Sequence, residues 1–148
     1  MPRGREEFEH IARYRLESEI ATGGMGVIWK AYDPEFKRTV AIKTIKPKLL
    51  EQAGFRERFE AEAEILGRLS HPNIVGAYDK GAQGKTVYTV MEYLQGHTLE
   101  SLLQANSLPR LDKRLGIIEQ LANGLNYIHE NGVIHRDLSP RNIMLVDD

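Results

Sequence analysis

Apolar positions along this chain fall into two regimes. From Tyr14 to Lys43 they come in short runs rich in β-branched and aromatic residues, broken by glycine and by Asp33-Pro34. Val27-Ile28-Trp29 and Thr39-Val40-Ala41-Ile42 read as strands, and Gly23, Gly24 and Gly26 crowd the turn ahead of the first of them. Over residues 55–69 the period changes: Phe55, Phe59, Leu66 and Leu69 recur at helical spacing, and Ser70-His71-Pro72-Asn73 ends the helix. Ile74-Val75 and the run Thr86 to Met91 read as two further strands, with Gly81 to Gly84 as the turn between them. Gln95-Gly96 breaks the pattern. Beyond it a short helix is expected over 98–103, then a long amphipathic one from about Leu111 to His129. Leu115, Ile118, Leu121, Ala122, Leu125 and Ile128 line the long helix, Ile117 widens its apolar face, and Asn131-Gly132 is a plausible stop. A strand-rich part with one helix, a hinge and a helical part together predict an α+β architecture. There is no internal repeat and no low-complexity segment.

Composition narrows the picture. The 148 residues are 41% apolar and 28% charged, which is globular rather than disordered. Twenty basic residues against 21 acidic ones leave a net charge of −1, so no whole-chain electrostatic case exists for nucleic acid or a membrane surface. The local cluster Lys43, Lys46 and Lys48 reads as a solvated strand end for all but one of its members. The absence of cysteine excludes disulfides, thiolate catalysis and zinc–thiolate sites, and fits a reducing compartment, hence a cytoplasmic expectation. The charged start, Met1-Pro2-Arg3-Gly4-Arg5-Glu6-Glu7, leads into no apolar run, so it is not a secretory signal. No stretch approaches the ~18 apolar residues of a membrane helix.

Three clusters carry candidate chemistry. Ala21-Thr22-Gly23-Gly24-Met25-Gly26 lies between two strands, and glycines let backbone N–H groups approach phosphate oxygens without Cβ clashes. Taken alone, the same residues are also a plain hairpin turn. Lys43 ends the strand Val40-Ala41-Ile42-Lys43, and Glu62 falls on the apolar stripe of the first helix. A carboxylate facing the core needs a partner, and a lysine on a facing strand is a natural one. The other reading has Glu62 reaching water at the edge of the stripe. The third cluster is His135-Arg136-Asp137-Leu138-Ser139-Pro140-Arg141-Asn142, after the long helix.

In that order, with Asn five residues after Asp, these motifs resemble the glycine loop, Val-Ala-Ile-Lys strand and catalytic loop of eukaryotic-type protein kinases. The similarity runs from about Tyr14 to Asp148, and takes in Ser70-His71-Pro72-Asn73-Ile74-Val75 and Val90-Met91-Glu92-Tyr93-Leu94. The style is closest to bacterial serine/threonine kinases. The resemblance implies an N-terminal extension over 1–13 and an ATP-binding lobe over 14–94, a twisted antiparallel sheet with one main helix. An incomplete helical lobe with the catalytic loop follows over 95–148. It implies that Ala21, Thr22, Gly23, Gly24, Met25 and Gly26 cover the ATP phosphates, and that Ile28 and Ala41 sandwich adenine with Met144. Met91 stands as gatekeeper, and Glu92 and Leu94 offer main-chain groups to the adenine edge. Lys43 holds phosphates and pairs with Glu62, Asp137 accepts the proton of the attacking protein hydroxyl, and Asn142 holds one Mg²⁺. The chemistry suits the residue types, since phosphoryl transfer needs positioning and charge neutralisation above all.

The sequence departs from the pattern in three places. Ala21 replaces the first glycine, with a modest effect expected on nucleotide affinity. Ser139 stands where serine/threonine kinases usually carry lysine; Arg141 is either the missing cation or a surface arginine, and Pro140 leans toward serine/threonine specificity. No Asp-Phe-Gly motif follows Asn142 before Asp148, so the expectation is a truncated domain with poor turnover of its own. The long helix is then expected to expose apolar surface, inviting self-association or a covering partner. Two alternatives remain: a nucleotide-binding or scaffolding pseudokinase-like module, and a regulatory partner that docks through the exposed helix face without nucleotide.

Overall fold

The strand-rich regime builds one six-stranded antiparallel sheet of order β1-β2-β3-β4-β6-β5. Its strands are β1 (His10–Ile11), β2 (Tyr14–Thr22), β3 (Gly26–Asp33), β4 (Arg38–Ile45), β5 (Ala77–Gln83) and β6 (Thr86–Glu92). This computed structural model describes residues 9–147; the expected extension over 1–13 lies partly outside that range, and its described end, β1, joins the sheet beside β2. The chain forms two compact units: one runs up to Gly67 and includes Gly76–Tyr93, the other joins Arg68–Val75 to Leu94 onward.

Period-2 alternation explains the sheet's two faces, because residues directly opposite on antiparallel neighbours point the same way. Trp29 faces Ile42 and Ile42 faces Val90, and on that side Tyr14, Ala31, Val40, Ile42, Tyr88 and Val90 form the core with Ile11. One corner of this layer is polar. Asp33, 1% exposed, accepts from Arg13 Nε at 3.1 Å and Nη2 at 3.2 Å, and from the Glu35 and Phe36 N–H groups of the turn it starts. The Arg13 hydrogen bonds hold the Asp33 carboxyl below its ordinary range against the opposing effect of burial. Burial and a 2.7 Å hydrogen bond to Asp79 push the Tyr14 phenol up.

Two helices complete this unit. The short α1 (Pro47–Leu50) was not apparent in the periodicity; Pro47 suits a helix start, where its missing N–H has no partner to lose. The expected longer helix forms as α2 (Phe55–Arg68). Its inward residue is Ala63, and Glu62 is exposed, the second of the two readings its place on the stripe left open. Phe55, Phe59 and Leu66 are half-buried. The strand expected at Ile74-Val75 forms instead at β5, because Ile74 packs with the second unit.

That unit contains β7 (Gly96–Thr98), α3 (Leu99–Gln104), α4 (Leu111–Glu130) and β8 (Met144–Val146). Thr98 caps α3, its hydroxyl accepting from Ser101 N–H at 3.1 Å. Gly132, at φ 76°, ends α4 in the left-handed region that favours glycine. The Ser70 N–H donates to Tyr127 Oη at 3.1 Å, and Asn73 Nδ2 to Gln120 Oε1 at 3.1 Å. A side chain at buried Gly124 would come within 3.2 Å of Asn73 O and Ile74 Cδ1, so glycine lets this segment lie on the helix. At the other end of α4, Leu111, Leu115 and Ile118 are 71%, 62% and 61% exposed. Among the described residues no helix is long and apolar enough to cross a membrane.

Candidate functional site

In the sheet unit the glycine turn connects β2 to β3. The Gly23 N–H donates to Gly26 O at 2.9 Å and the Lys46 N–H to Met25 O at 2.9 Å, tying the turn to the end of β4. The three glycines differ in kind. A Cβ on Gly26 would lie 1.7 Å from Thr44 O, so the fold itself requires glycine there. Gly23 and Gly24 have open space around them and no unusual φ. Their smallness serves nothing within the chain and leaves the backbone open to an approaching group. Ala21 pairs with Ile28 beside a bulge in β2, and the Thr22 hydroxyl hydrogen-bonds Glu19.

The register collects the adenine-side candidates. Ile28 faces Lys43, Lys43 faces Thr89, and Ala41 faces Met91, so these side chains share the sheet face opposite the apolar core. Lys43 is half-buried and makes no ion pair with Glu62. Thr89, missed by the sequence reading, is 7% exposed and its Oγ1 has no hydrogen-bond partner. Nothing in the pattern of β6 marked it, since threonine is ordinary in a strand. At the end of β6, Glu92 N–H donates to Gly76 O at 2.8 Å and Glu92 Oε2 accepts from Gly76 N–H at 3.2 Å.

In the helical unit the loop after α4 forms its own hydrogen-bonded knot. Asn142 Nδ2 donates to Asp137 O at 2.8 Å and to Asp137 Oδ2 at 3.1 Å. His135 Nδ1 accepts from the Asp137 N–H at 3.3 Å, a role for His135 that the spacing alone does not reveal. Arg136 at φ 63° turns the chain, and the 3₁₀ turn Pro140–Asn142 closes with Asn142 N–H on Ser139 O at 2.9 Å. Ile143 O accepts from Leu99 N–H at 2.8 Å, and β8 pairs with β7. A Cβ at Gly96 would lie 2.0 Å from Leu145 O, so that ladder needs glycine. Asp137 is therefore exposed yet fixed: one side chain holds both its backbone and its carboxylate. Arg141 is exposed without an ion pair among the described residues, and the buried Ser139 Oγ has no partner. Leu94 is half-buried and Met144 exposed.

For a divalent cation the loop offers oxygen of the right hardness. With Nδ2 turned to Asp137, Asn142 keeps Oδ1 for a ligand. Among the described residues there is no cluster of three or more acidic, imidazole or thiol groups. One amide oxygen beside one carboxylate fits a hard divalent cation as part of its ligand set, not the whole of it.

The family profile described as "Protein kinase domain" matches residues 14–148. A probable serine/threonine-protein kinase of Clostridium acetobutylicum is 42% identical over 136 residues, covering 92% of this chain and 21% of the relative. Serine/threonine-protein kinase PknA of Mycobacterium tuberculosis is 40% identical over 138 residues, covering 90% and 32%. The crystal structure of the Mycobacterium tuberculosis PknI kinase domain superposes with a TM-score of 0.82 at 27% identity, covering 93% of this chain and 56% of that one. The chain thus spans a minor part of these curated relatives and about half of a solved kinase domain.

Proposed function

This chain belongs to the protein kinase domain family, and we propose that it carries the ATP-binding and catalytic-loop portion of a serine/threonine kinase. The reaction is transfer of the ATP γ-phosphoryl group to a protein hydroxyl. The observation that carries this reading is the knot at Asn142, which holds Asp137 by its carbonyl and its carboxylate together. A carboxylate so fixed is poised to accept the hydroxyl proton and orient the oxygen for attack.

The other residues take roles that their positions support. Backbone N–H groups over Thr22 to Met25 face phosphates, with Gly23 and Gly24 leaving room. Ile28 and Ala41 give adenine an apolar surface, and Met91 bounds its depth. Since Glu92 N–H is committed to Gly76 O, the main-chain donor to adenine falls to Leu94 and Glu92 contributes its carbonyl. Lys43 meets the phosphates as a point charge, with Glu62 as its orienting partner once nucleotide draws the two together. Asn142 Oδ1 would hold Mg²⁺, which would neutralise phosphate charge when bound. Arg141, without an ion pair among the described residues, supplies the cation that Ser139 lacks.

Titration calorimetry with a non-hydrolysable ATP analogue tests the nucleotide half of this reading. Mg²⁺-dependent binding that Lys43→Ala weakens about tenfold or more, ~1.4 kcal/mol, is expected. Absence of binding by a chain that is folded by circular dichroism overturns it. A second reading rests on the exposed stripe Leu111, Leu115 and Ile118: a catalytically inactive, pseudokinase-like scaffold that self-associates or takes a partner there. Monodisperse monomers in light scattering, without hydrophobic-dye binding, count against it.

A further inference from the structure

We propose that Lys80 is a positioning residue for Glu62, acting through the turn of α2 that carries it; this rests on the nucleotide-binding reading above. Packing alone holds α2 thinly, since Ala63 is its one buried residue. From β5, Lys80 Nζ donates to Glu60 O at 3.1 Å and pairs with Glu64 Oε2 at 3.7 Å. Glu60 and Glu64 are one turn apart and bracket Glu62, so a single ammonium grips both ends of that turn. The grip also has a register. Thr89 on β6 faces Lys80 on one side and Lys43 on the other, so all three side chains leave the same face of the sheet in one row. Two strand spacings, about 10 Å, separate the two lysines along it.

The turn carrying Glu62 is therefore anchored to the row that contains Lys43. Between the lysines lies Thr89 Oγ1, a buried hydroxyl without a partner, which buried polar groups rarely lack. In this proposal Glu62 is the group that meets Lys43 when nucleotide binds, and holding its turn of α2 to the sheet fixes where that carboxylate starts from. Support of this kind sets the precision of a site without touching the ligand.

Two measurements on the 148-residue chain test the proposal: amide hydrogen exchange without nucleotide, and calorimetry with the Mg²⁺-bound ATP analogue. Lys80→Met keeps the aliphatic stem and removes the ammonium. It is expected to speed exchange across the middle of α2 several-fold, leave the sheet core unchanged, and weaken nucleotide about three- to tenfold. Lys80→Arg is expected to restore both, and Lys80→Met to have no further effect on affinity in a Glu62→Gln background. Unchanged α2 exchange overturns the anchor. Faster exchange with unchanged affinity overturns the link to Glu62, as does an equal loss in the Glu62→Gln background. If the parent chain binds no nucleotide, the nucleotide reading fails and so does the link to Glu62, while α2 exchange still decides whether Lys80 anchors the helix.

Discussion

The two units of this chain put their apolar residues to different use. In the sheet unit Val40, Ile42 and Val90 are fully buried, and Asp33 closes the edge of the layer with its charge satisfied four times over. In the helical unit α4 buries Gly124 and Ile128 toward its C-terminal end, while Leu111, Leu115 and Ile118 stand in solvent. Equal hydrophobicity therefore contributes unequally: burial, not residue type, sets what an apolar side chain is worth. The candidate chemistry divides in the same way. The glycine turn and Lys43 stand on a packed sheet, whereas Asp137 is held by the local hydrogen bonds of an exposed loop.

This contrast can be broken first at its strongest point. Ile42→Ala is expected to cost about 3–5 kcal/mol in chemical denaturation followed by a sheet signal, through lost burial and the cavity left behind. Leu115→Ala is expected to stay within about 0.5 kcal/mol, because its side chain is already wet. Comparable losses would mean that α4 is covered in solution. Next in size is Asp33→Asn, expected to remove about 1–3 kcal/mol by breaking a charge-assisted hydrogen-bond set. The pH dependence has a definite sign. A carboxyl held below its ordinary 3.8 stabilises the fold above that pH, and the contribution drains away as pH falls through the folded-state value. Acid titration of stability should thus be flatter in Asp33→Asn than in the parent.

Smaller effects sharpen the comparison inside the glycine turn. Gly26→Ala must displace the β4 backbone at Thr44 and should destabilise measurably, whereas Gly23→Ala should leave the melting temperature nearly unchanged and weaken the ATP analogue a few-fold. Equal destabilisation by both would mean that the turn serves the fold alone. Ala21→Gly is expected to change affinity least; a large gain would show that alanine there restrains the loop.

Much of this was legible in the linear chain. The β-rich runs broken by glycine from Tyr14 to Lys43 and the helical spacing of apolar residues along α4 are local signals, carried by residue type and period alone. His135, Asp137 and Asn142 were legible because a tight loop brings together residues only a few positions apart. The strand expected at Ile74-Val75 was not, because both residues have strand propensity while Ile74 packs beside Gly124, fifty residues on. The direction of Glu62 stayed open between core and water for a similar reason, since helical spacing sorts residues onto stripes without saying which stripe the sheet will take.

The sequence by itself determined the main elements, the order of the motifs and the family to which the chain belongs. Tertiary structure alone decided that Lys80, Thr89 and Lys43 form one row, that Gly26 is obligatory where Gly23 is not, and that Asp33 is sealed by Arg13. The physical reason is range. Propensity and period act over a few residues, whereas strand register, backbone approach and the burial of charge are settled between segments far apart in the chain.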